Sequence, residues 1–304
     1  MKKFLWGFLI AFLILLLAAI VGPNLISWNN YQDVIINKIK DLSGQDLKIN
    51  GDIQVSLLPT PTILLNKISL SYPTNFSSKQ LLTIKSAEIK ISLNHLITGQ
   101  LKIQKVKLID PVIELETFKS EGKNWDLKTR KKNRTVKAIE SDSKVYVDSK
   151  LIPSTSLKNL TIINGTVNYH NKDKNVFKKI EAINVQIKTD SLNGPFEAQG
   201  HLSVQGVKLS YNIKTSQIIQ TKPMKLDVEL KSTQEQLFLY INSNVTNPLR
   251  NPKLTGKIKG KGENLSNFVK LFPDFSHYSI FNDPFSFNGL ISASKNQAEI
   301  KNLN

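Results

Sequence analysis

Few side chains in this sequence have the type and spacing that catalysis or metal binding requires. Glu114 and Glu116 lie two residues apart, so on a β-strand both carboxylates would project from one face, like the acid pair of a hydrolase. We favour the polar face of an amphipathic strand for this pair. The histidines form no HxxxH or HExxH pattern. They are His95, His170, His201 and His277. We therefore predict no catalytic and no metal-binding residues.

A segment rich in lysine and glycine, TGKIKGKGEN at residues 255–264, is the best candidate for a phosphate-binding loop. It lacks the GxxxxGK[ST] order, and no helix follows closely enough to cradle a phosphate. We predict a β-turn or bulge there. The chain has no cysteine, so it has neither disulfides nor thiolate metal ligands. Together these observations predict a protein that is not an enzyme and has no cofactor.

The net charge of +17 suggests a polyanionic partner, but the kind of basic residue argues against nucleic acid. Of the 41 basic residues, only Arg130, Arg134 and Arg250 are arginines. The guanidinium group is the preferred one for bidentate phosphate and guanine contacts. Lysine commonly protects sheet edges from aggregation, and it is attracted to anionic membrane surfaces. We predict no nucleic-acid partner.

An uncharged stretch from Phe4 to Val21 precedes all of these residues. As an α-helix it would extend roughly 27 Å, close to the hydrocarbon thickness of a bilayer. Lys2 and Lys3 precede it and the next basic residue is Lys38, which favours a cytoplasmic N-terminus. We predict a transmembrane anchor over residues 1–28. A cleaved secretory signal is the alternative, and both place the following chain outside the cytoplasm.

A short amphipathic helix is predicted directly after the anchor, followed by strands with period-2 alternation. The predicted apolar face of this helix consists of Tyr31, Val34, Ile35, Ile39 and Leu42. In the strands, Gly51 is expected at a bend or bulge, and the alternation changes parity near Ser86 and Ala87, which predicts a bulge.

The chain divides by composition into two β-rich regions. Residues 29–118 form the first, and residues 156–304 form the second, which ends as a new strand begins. Between them, residues 119–155 are polar, charged and poor in large apolar groups, so we predict a flexible basic linker or insertion. One further helix is predicted from Leu265 to Phe272.

These elements predict a mainly β protein with an N-terminal transmembrane helix, a short amphipathic helix and then a long curved antiparallel β-sheet that forms an apolar groove. The few predicted helices are too short to cover one face of such a sheet. The alternative is a sheet that folds on itself as a sandwich, because alternation alone does not distinguish the two.

The first 125 residues resemble the N-terminal region of the AsmA family of bacterial envelope proteins. The resemblance rests on an anchor, a helix and then a series of short segments in a fixed order. In this sequence they are SGQDLKINGDI at 43–53, VSLLPTP at 55–61, LLTI at 81–84, IKISL at 89–93, GQLKI at 99–103, DPVIELE at 110–116 and GKNW at 122–125.

The resemblance implies a periplasmic protein anchored in the bacterial inner membrane that contributes to outer-membrane biogenesis and envelope lipid homeostasis. Family members are similar to bridge-type lipid transfer proteins, which carry phospholipid acyl chains in an apolar β groove. The implied partners are phospholipids and the inner membrane, and the family has no catalytic residues to transfer. Members usually run longer, so we also expect a truncated product or a module that works with a partner.

On this hypothesis, apolar residues of the first β region line the groove and contact acyl chains without recognising headgroups. They are Leu47, Ile49, Ile53, Val55, Leu57, Ile89, Ile91 and Leu93. The alternative function is a non-enzymatic envelope assembly or scaffold factor. In that case the open C-terminal edge of the sheet pairs with a protein partner.

Overall fold

The described part of the protein is mainly β, as the sequence predicts. The structure is a computed structural model that describes residues 32–33, 36–37, 46–71, 80–98, 102–118, 122–125, 158–191, 193–232, 234, 236–249, 251–266, 283–294 and 297–303. It divides into two compact units. Unit 1 contains residues 1–155 and 169–177, and unit 2 contains residues 156–168 and 178–304.

Unit 1 is built on an antiparallel sheet in which one long strand carries two short ones on the same side. The elements are β1 (Asp46–Ile49), β2 (Ile53–Ser56), β3 (Thr62–Ser71), β4 (Gln80–Ile91), α1 (Leu93–Ile97), β5 (Ile103–Phe118) and β6 (Gly122–Lys123). β1 and β2 both pair with β3, followed by β4, β5 and β6 in order. The predicted bend at Gly51 separates β1 from β2, and a Cβ there would lie 2.8 Å from the Asn66 carbonyl oxygen.

The side chains of β3, β4 and β5 change face at one row of residues, which confirms the predicted change of parity near Ser86. The bulge predicted there is wrong, because the register of β4 with both neighbours does not shift at this row. This row contains Lys67 on β3, Lys85 on β4 and Asp110 on β5, and the registers of β4 with both neighbours skip it. Lys67 and Asp110 have positive φ angles of 52° and 48°. The exposed Lys85 ammonium lies 3.2 Å from the Asp110 carboxylate. Apolar residues on both sides of this row therefore point to the same core.

That core joins the sheet to the helix that precedes it. Its buried members are Ile49, Ile53, Leu65, Ile68, Ile84 and Ala87. Residues 32–33 and 36–37 are helical, and Ile36 packs against this cluster while Gln32 Nε2 donates to the Ile49 carbonyl oxygen at 2.6 Å. The predicted apolar face of the helix did not include Ile36, and the residues assigned to that face lie outside the described ones.

Among the described residues of unit 1, the most buried side chain is polar and contacts the end of β5 from the turn after β6. Asn124 is 1% exposed. Its Oδ1 accepts a hydrogen bond from the Glu116 backbone N–H at 2.9 Å, and its Nδ2 donates to the Glu114 carbonyl oxygen at 2.8 Å. The Glu116 carboxylate, also buried, lies 3.6 Å from Lys172 Nζ, and the Lys172 backbone N–H donates to the Thr117 carbonyl oxygen. These two hydrogen bonds hold the Asn124 side chain against the backbone of β5.

Unit 2 is an antiparallel sheet of successive strands. They are β7 (Asn159–Asn171), β8 (Val176–Thr189), β9 (Phe196–Val204), β10 (Val207–Thr215), β11 (Met224–Ser232), β12 (Leu237–Thr246), β13 (Lys253–Gly262), β14 (Phe285–Ala293) and β15 (Ala298–Lys301). From β8 onward, each strand pairs with the next one in the chain. The tip of the β7–β8 hairpin, residues 169–177, belongs to unit 1.

Two further local predictions were wrong. The alternation predicts a strand through Leu93, but the strand ends at Ile91 and Leu93 begins α1. Ser92, a residue type favoured directly before a helix, precedes α1, and its Oγ lies 2.8 Å from His95 Nδ1. The segment at 255–262 is neither a turn nor a bulge. It forms most of β13, whose register with both neighbours is unbroken.

Several predictions fall outside the described residues. The predicted anchor over residues 1–28 lies outside the described residues. Of the predicted linker over 119–155, residues 122–125 are described. Of the helix predicted from Leu265 to Phe272, residues 265–266 are described and helical. Within the described ranges, none of the helices has the length and apolar character needed to cross a bilayer.

Replacing Asn124 by alanine tests its role at the end of β5. We expect Asn124→Ala to lower the free energy of unfolding of unit 1 by about 1–3 kcal/mol, because it removes two hydrogen bonds between a buried side chain and the β5 backbone. Hydrogen exchange of β5 amides in the full chain measures this effect. Asn66→Ala is the control, since Asn66 Nδ2 makes an exposed 3.4 Å contact with the Asp52 carbonyl oxygen. Equal effects of the two variants would contradict the assignment.

Candidate functional site

The strand register of unit 2 places apolar side chains in continuous rows on one face of its sheet. One row crosses seven strands from β8 to β14. It consists of Ile187, Ala198, Ile213, Val228, Ile241, Ile258 and Gly289. The next row consists of Val185, Gly200, Tyr211, Leu230, Leu239, Gly260 and Phe287. We call this surface the apolar face of unit 2.

The apolar face is covered only in part. Neighbours on the same face bury some residues almost completely, including Leu209 (4% exposed), Leu239 (9%) and Ile258 (5%). At the middle of the first row, Ile213, Val228 and Ile241 remain half-buried. Apolar surface that stays in contact with water is unfavourable by about 25 cal/mol per Å², so a ligand that covers it gains that free energy.

Glycines and aromatic rings shape one end of the apolar face. The Phe287 ring lies over Gly260 and the Phe285 ring lies over Gly262, and the two rings are stacked with centroids 6.1 Å apart. A Cβ on Gly262 would be 2.8 Å from the Phe285 ring. At Gly256 the neighbouring strand leaves no space for a side chain, because a Cβ would meet the Asn242 carbonyl oxygen and Ser243. Close packing therefore requires glycine on this side of β13.

A bulge in β8 brings a polar group to the other end of the same face. The register with β9 shifts between Glu181 and Asn184, and Asn184 Nδ2 donates to the Ala182 carbonyl oxygen at 2.9 Å. The Tyr211 hydroxyl donates to the Asn184 carbonyl oxygen at 3.2 Å, and a Cβ on Gly200 would lie 2.9 Å from the same hydroxyl oxygen. Burial raises the pKa of Tyr211, so this hydroxyl stays protonated and keeps donating.

The opposite face of unit 2 is polar. At its centre, the Asp227 carboxylate accepts hydrogen bonds from the Tyr240 hydroxyl at 3.1 Å and from Asn242 Nδ2 at 2.5 Å. The hydrogen bond to Asp227 raises the pKa of Tyr240, and burial and the charge of Asp227 add to the shift. Every second residue of β11 on this face is charged. These residues are Lys225, Asp227, Glu229 and Lys231, two basic and two acidic.

The eight residues predicted to line a groove lie in unit 1, where the structure separates them into two groups. Ile49 and Ile53 belong to the buried core cluster, and Leu47, Val55 and Ile89 pack against it. Ile91 is buried at the end of β4. Leu57 and Leu93 are 38% and 37% exposed and lie beyond the ends of β2 and β4, at one end of the sheet.

Where the structure describes them, the histidines considered for metal binding lie on separate elements. His95 contacts Ser92, His170 contacts the Phe177 ring edge, His201 lies on the polar face of β9, and His277 is outside the described residues. Among the described residues, no group of three acidic or histidine side chains could hold a metal ion. Glu116 belongs to the buried contacts of Asn124 and Lys172, which strand alternation does not reveal.

Sequence reasoning found the strands of unit 2 but assigned no functional residues to them. Every strand from β9 to β14 alternates, and that signal is visible in the sequence. The register that aligns Ile213, Val228 and Ile241 across three strands depends on loop lengths and bulges. A residue-by-residue pattern therefore could not identify the rows.

Two comparisons place the chain among known proteins. The sequence profile of the AsmA family matches residues 1–301. The chain is also similar to Protein AsmA of Escherichia coli (strain K12), with 20% identity over 239 residues. That alignment covers 78% of this chain and 37% of the relative, so this chain spans well under half of the relative's length.

Two glycine substitutions on β13 test the packing of the apolar face. Gly256→Ala should lower the free energy of unfolding by about 2 kcal/mol, because its Cβ meets backbone atoms that have no alternative position. Gly260→Ala should cost less, because the Phe287 ring is able to rotate away. Hydrogen exchange of β12 and β13 amides measures both. A larger loss at Gly260 than at Gly256 would contradict this account.

Proposed function

This chain belongs to the AsmA family, and on that premise we propose that it is a non-enzymatic envelope protein that holds phospholipid acyl chains against an apolar β-sheet face. Its proposed role is in outer-membrane biogenesis and envelope lipid homeostasis. The observation that carries this proposal is the half-buried centre of the apolar face at Ile213, Val228 and Ile241.

The chemistry of that face fits hydrocarbon better than a polar ligand. Its rows combine branched aliphatic side chains with glycine, and the charged residues of these strands project from the other side. Such a surface binds a ligand through dispersion attraction and the exclusion of water, and both interactions are available to acyl chains of any length. It has few polar groups to orient a reacting atom, which fits a carrier better than an enzyme.

Unit 2 is the better candidate for the acyl-chain site. In unit 1 the corresponding apolar residues, such as Ile49 and Ile53, already pack in a cluster to which Ile36 contributes. The groove-lining role predicted for the unit 1 residues stays a prediction, and the exposed pair Leu57 and Leu93 is its most accessible part.

We place the protein in the bacterial inner membrane, with a single span formed by the uncharged stretch Phe4–Val21. The lysines before this stretch favour a cytoplasmic N-terminus, so the β-rich units would lie in the periplasm. In that location the apolar face has access to phospholipid from the membrane that anchors it.

The second candidate function is an assembly or scaffold factor, and the last strand favours it. Within the described residues, β15 lies at the edge of the sheet. It has four residues, all exposed, and it pairs with residues 290–293 of β14. A short edge strand of this kind can accept an extended segment of a partner protein by strand addition.

Photo-crosslinking in cells tests the lipid proposal with adjacent residues as matched controls. A crosslinker at Ile241 or Ile213, on the apolar face, should capture phospholipid. The same group at Asn242 or Asn212, one residue along and on the polar face, should not. Mass spectrometry of the adducts is the measurement. Capture of one stoichiometric protein and no lipid from the apolar positions would favour the scaffold function instead.

A further inference from the structure

One strand of unit 2 concentrates positive charge on its polar face. Lys257, Lys259 and Lys261 alternate along β13 with residues of the apolar face, and all three are exposed. On a strand, alternate residues are about 7 Å apart and project in the same direction. The three ammonium groups therefore form a row, which we call the β13 lysine row.

Neither strand adjacent to β13 places a carboxylate beside this row. On β12 the register partners of the three lysines are Phe238, Tyr240 and Asn242. On β14 they are Ser286, Asn288 and Leu290. None of these six side chains is acidic. The acids that share this face lie one strand further away, with Asp227 and Glu229 on β11 and Glu299 on β15, and the latter two pair with lysines of their own strands. The contrast with β11, whose polar face carries two lysines and two acids, shows that solubility alone does not require this pattern.

Protection of a sheet edge does not explain the row either. Lysine on an edge strand prevents aggregation because it blocks pairing with another chain. β13 is an interior strand, paired over nine residues with β12 and over nine with β14. Three like charges on an interior strand repel each other, and no pairing has to be prevented there. A ligand that neutralises them would remove this repulsion.

We propose that the β13 lysine row docks on the anionic surface of a phospholipid bilayer. Lysine is a flexible point charge, which suits fluid headgroups that have no fixed spacing, whereas ordered phosphate recognition favours arginine. Leu290 beside Lys257 is 47% exposed, and Tyr240 lies beside Lys259. Apolar and aromatic groups next to lysines are typical of surfaces that rest in the headgroup region.

This docking surface is separate from the proposed acyl-chain site, since it lies on the opposite face of the sheet. It uses charge instead of apolar burial and predicts a dependence on lipid charge and on salt. Either proposal can therefore fail while the other holds.

Vesicle capture by the full chain tests the proposal. The chain is held in phosphatidylcholine nanodiscs on a solid support, and labelled vesicles of phosphatidylcholine, with or without about a third phosphatidylglycerol, are added. We expect selective capture of the anionic vesicles, weakened by salt. Lys257→Gln, Lys259→Gln and Lys261→Gln combined should lower the apparent affinity by about tenfold to a hundredfold. The three lysine-to-arginine changes should preserve it.

A second triple variant controls for net charge. Lys85→Gln, Lys90→Gln and Lys179→Gln remove the same charge from lysines that pair with Asp110, Glu88 and Glu181. This control should change capture by less than about twofold, because its lysines are already neutralised locally. All six lysines are on the surface, and the circular dichroism of each variant confirms the fold.

Three results would overturn the proposal. Equal losses in the two triple variants would show a general charge effect, and no loss in the β13 variant would show that the row is not used. Tighter binding of a single-stranded oligonucleotide, with displacement of the vesicles, would assign the row to nucleic acid instead.

Discussion

The period of a β-strand governs this molecule, because alternate residues must project to opposite faces and each face must then find its own environment. In unit 2 every strand from β9 to β14 obeys this period, so the sheet separates apolar from polar side chains across these six strands. Backbone pairing satisfies the peptide groups but covers neither face. What lies against each face therefore decides both stability and function.

Unit 1 meets this constraint by packing its apolar face internally. Ile36 lies on the cluster around Ile49 and Ile68, and the change of face at Lys67, Lys85 and Asp110 turns both halves of three strands toward one core. Unit 2 keeps Val228 and its neighbours half-buried and fills one end of its apolar face with aromatic rings that lie over glycine. The same alternating pattern in sequence thus has different outcomes in the two units.

This difference explains how much the sequence could predict. Strand identity, the bend at Gly51 and the change of parity near Ser86 are local features, and the predictions for them are confirmed. The contacts of Asn124 with Glu114 and Glu116, and the interior position of β13, depend on which strands meet. The glycines of 255–262 predicted a turn or bulge because a sequence does not show the Phe285 and Phe287 rings that occupy the space of their missing side chains.

β13 shows how one strand can serve two kinds of contact. On its apolar side, Gly260 and Gly262 leave room for the Phe287 and Phe285 rings of β14 to pack directly on the strand. On its polar side, the intervening lysines have no acidic neighbour on β12 or β14. Because alternate residues face opposite sides, the lysines and the glycines of β13 can change independently. A substitution of Lys259, for example, alters the charged face and leaves Gly260 and its ring contact in place. A single sheet can therefore evolve a hydrocarbon-binding face and a charged docking face from alternate residues of the same strands.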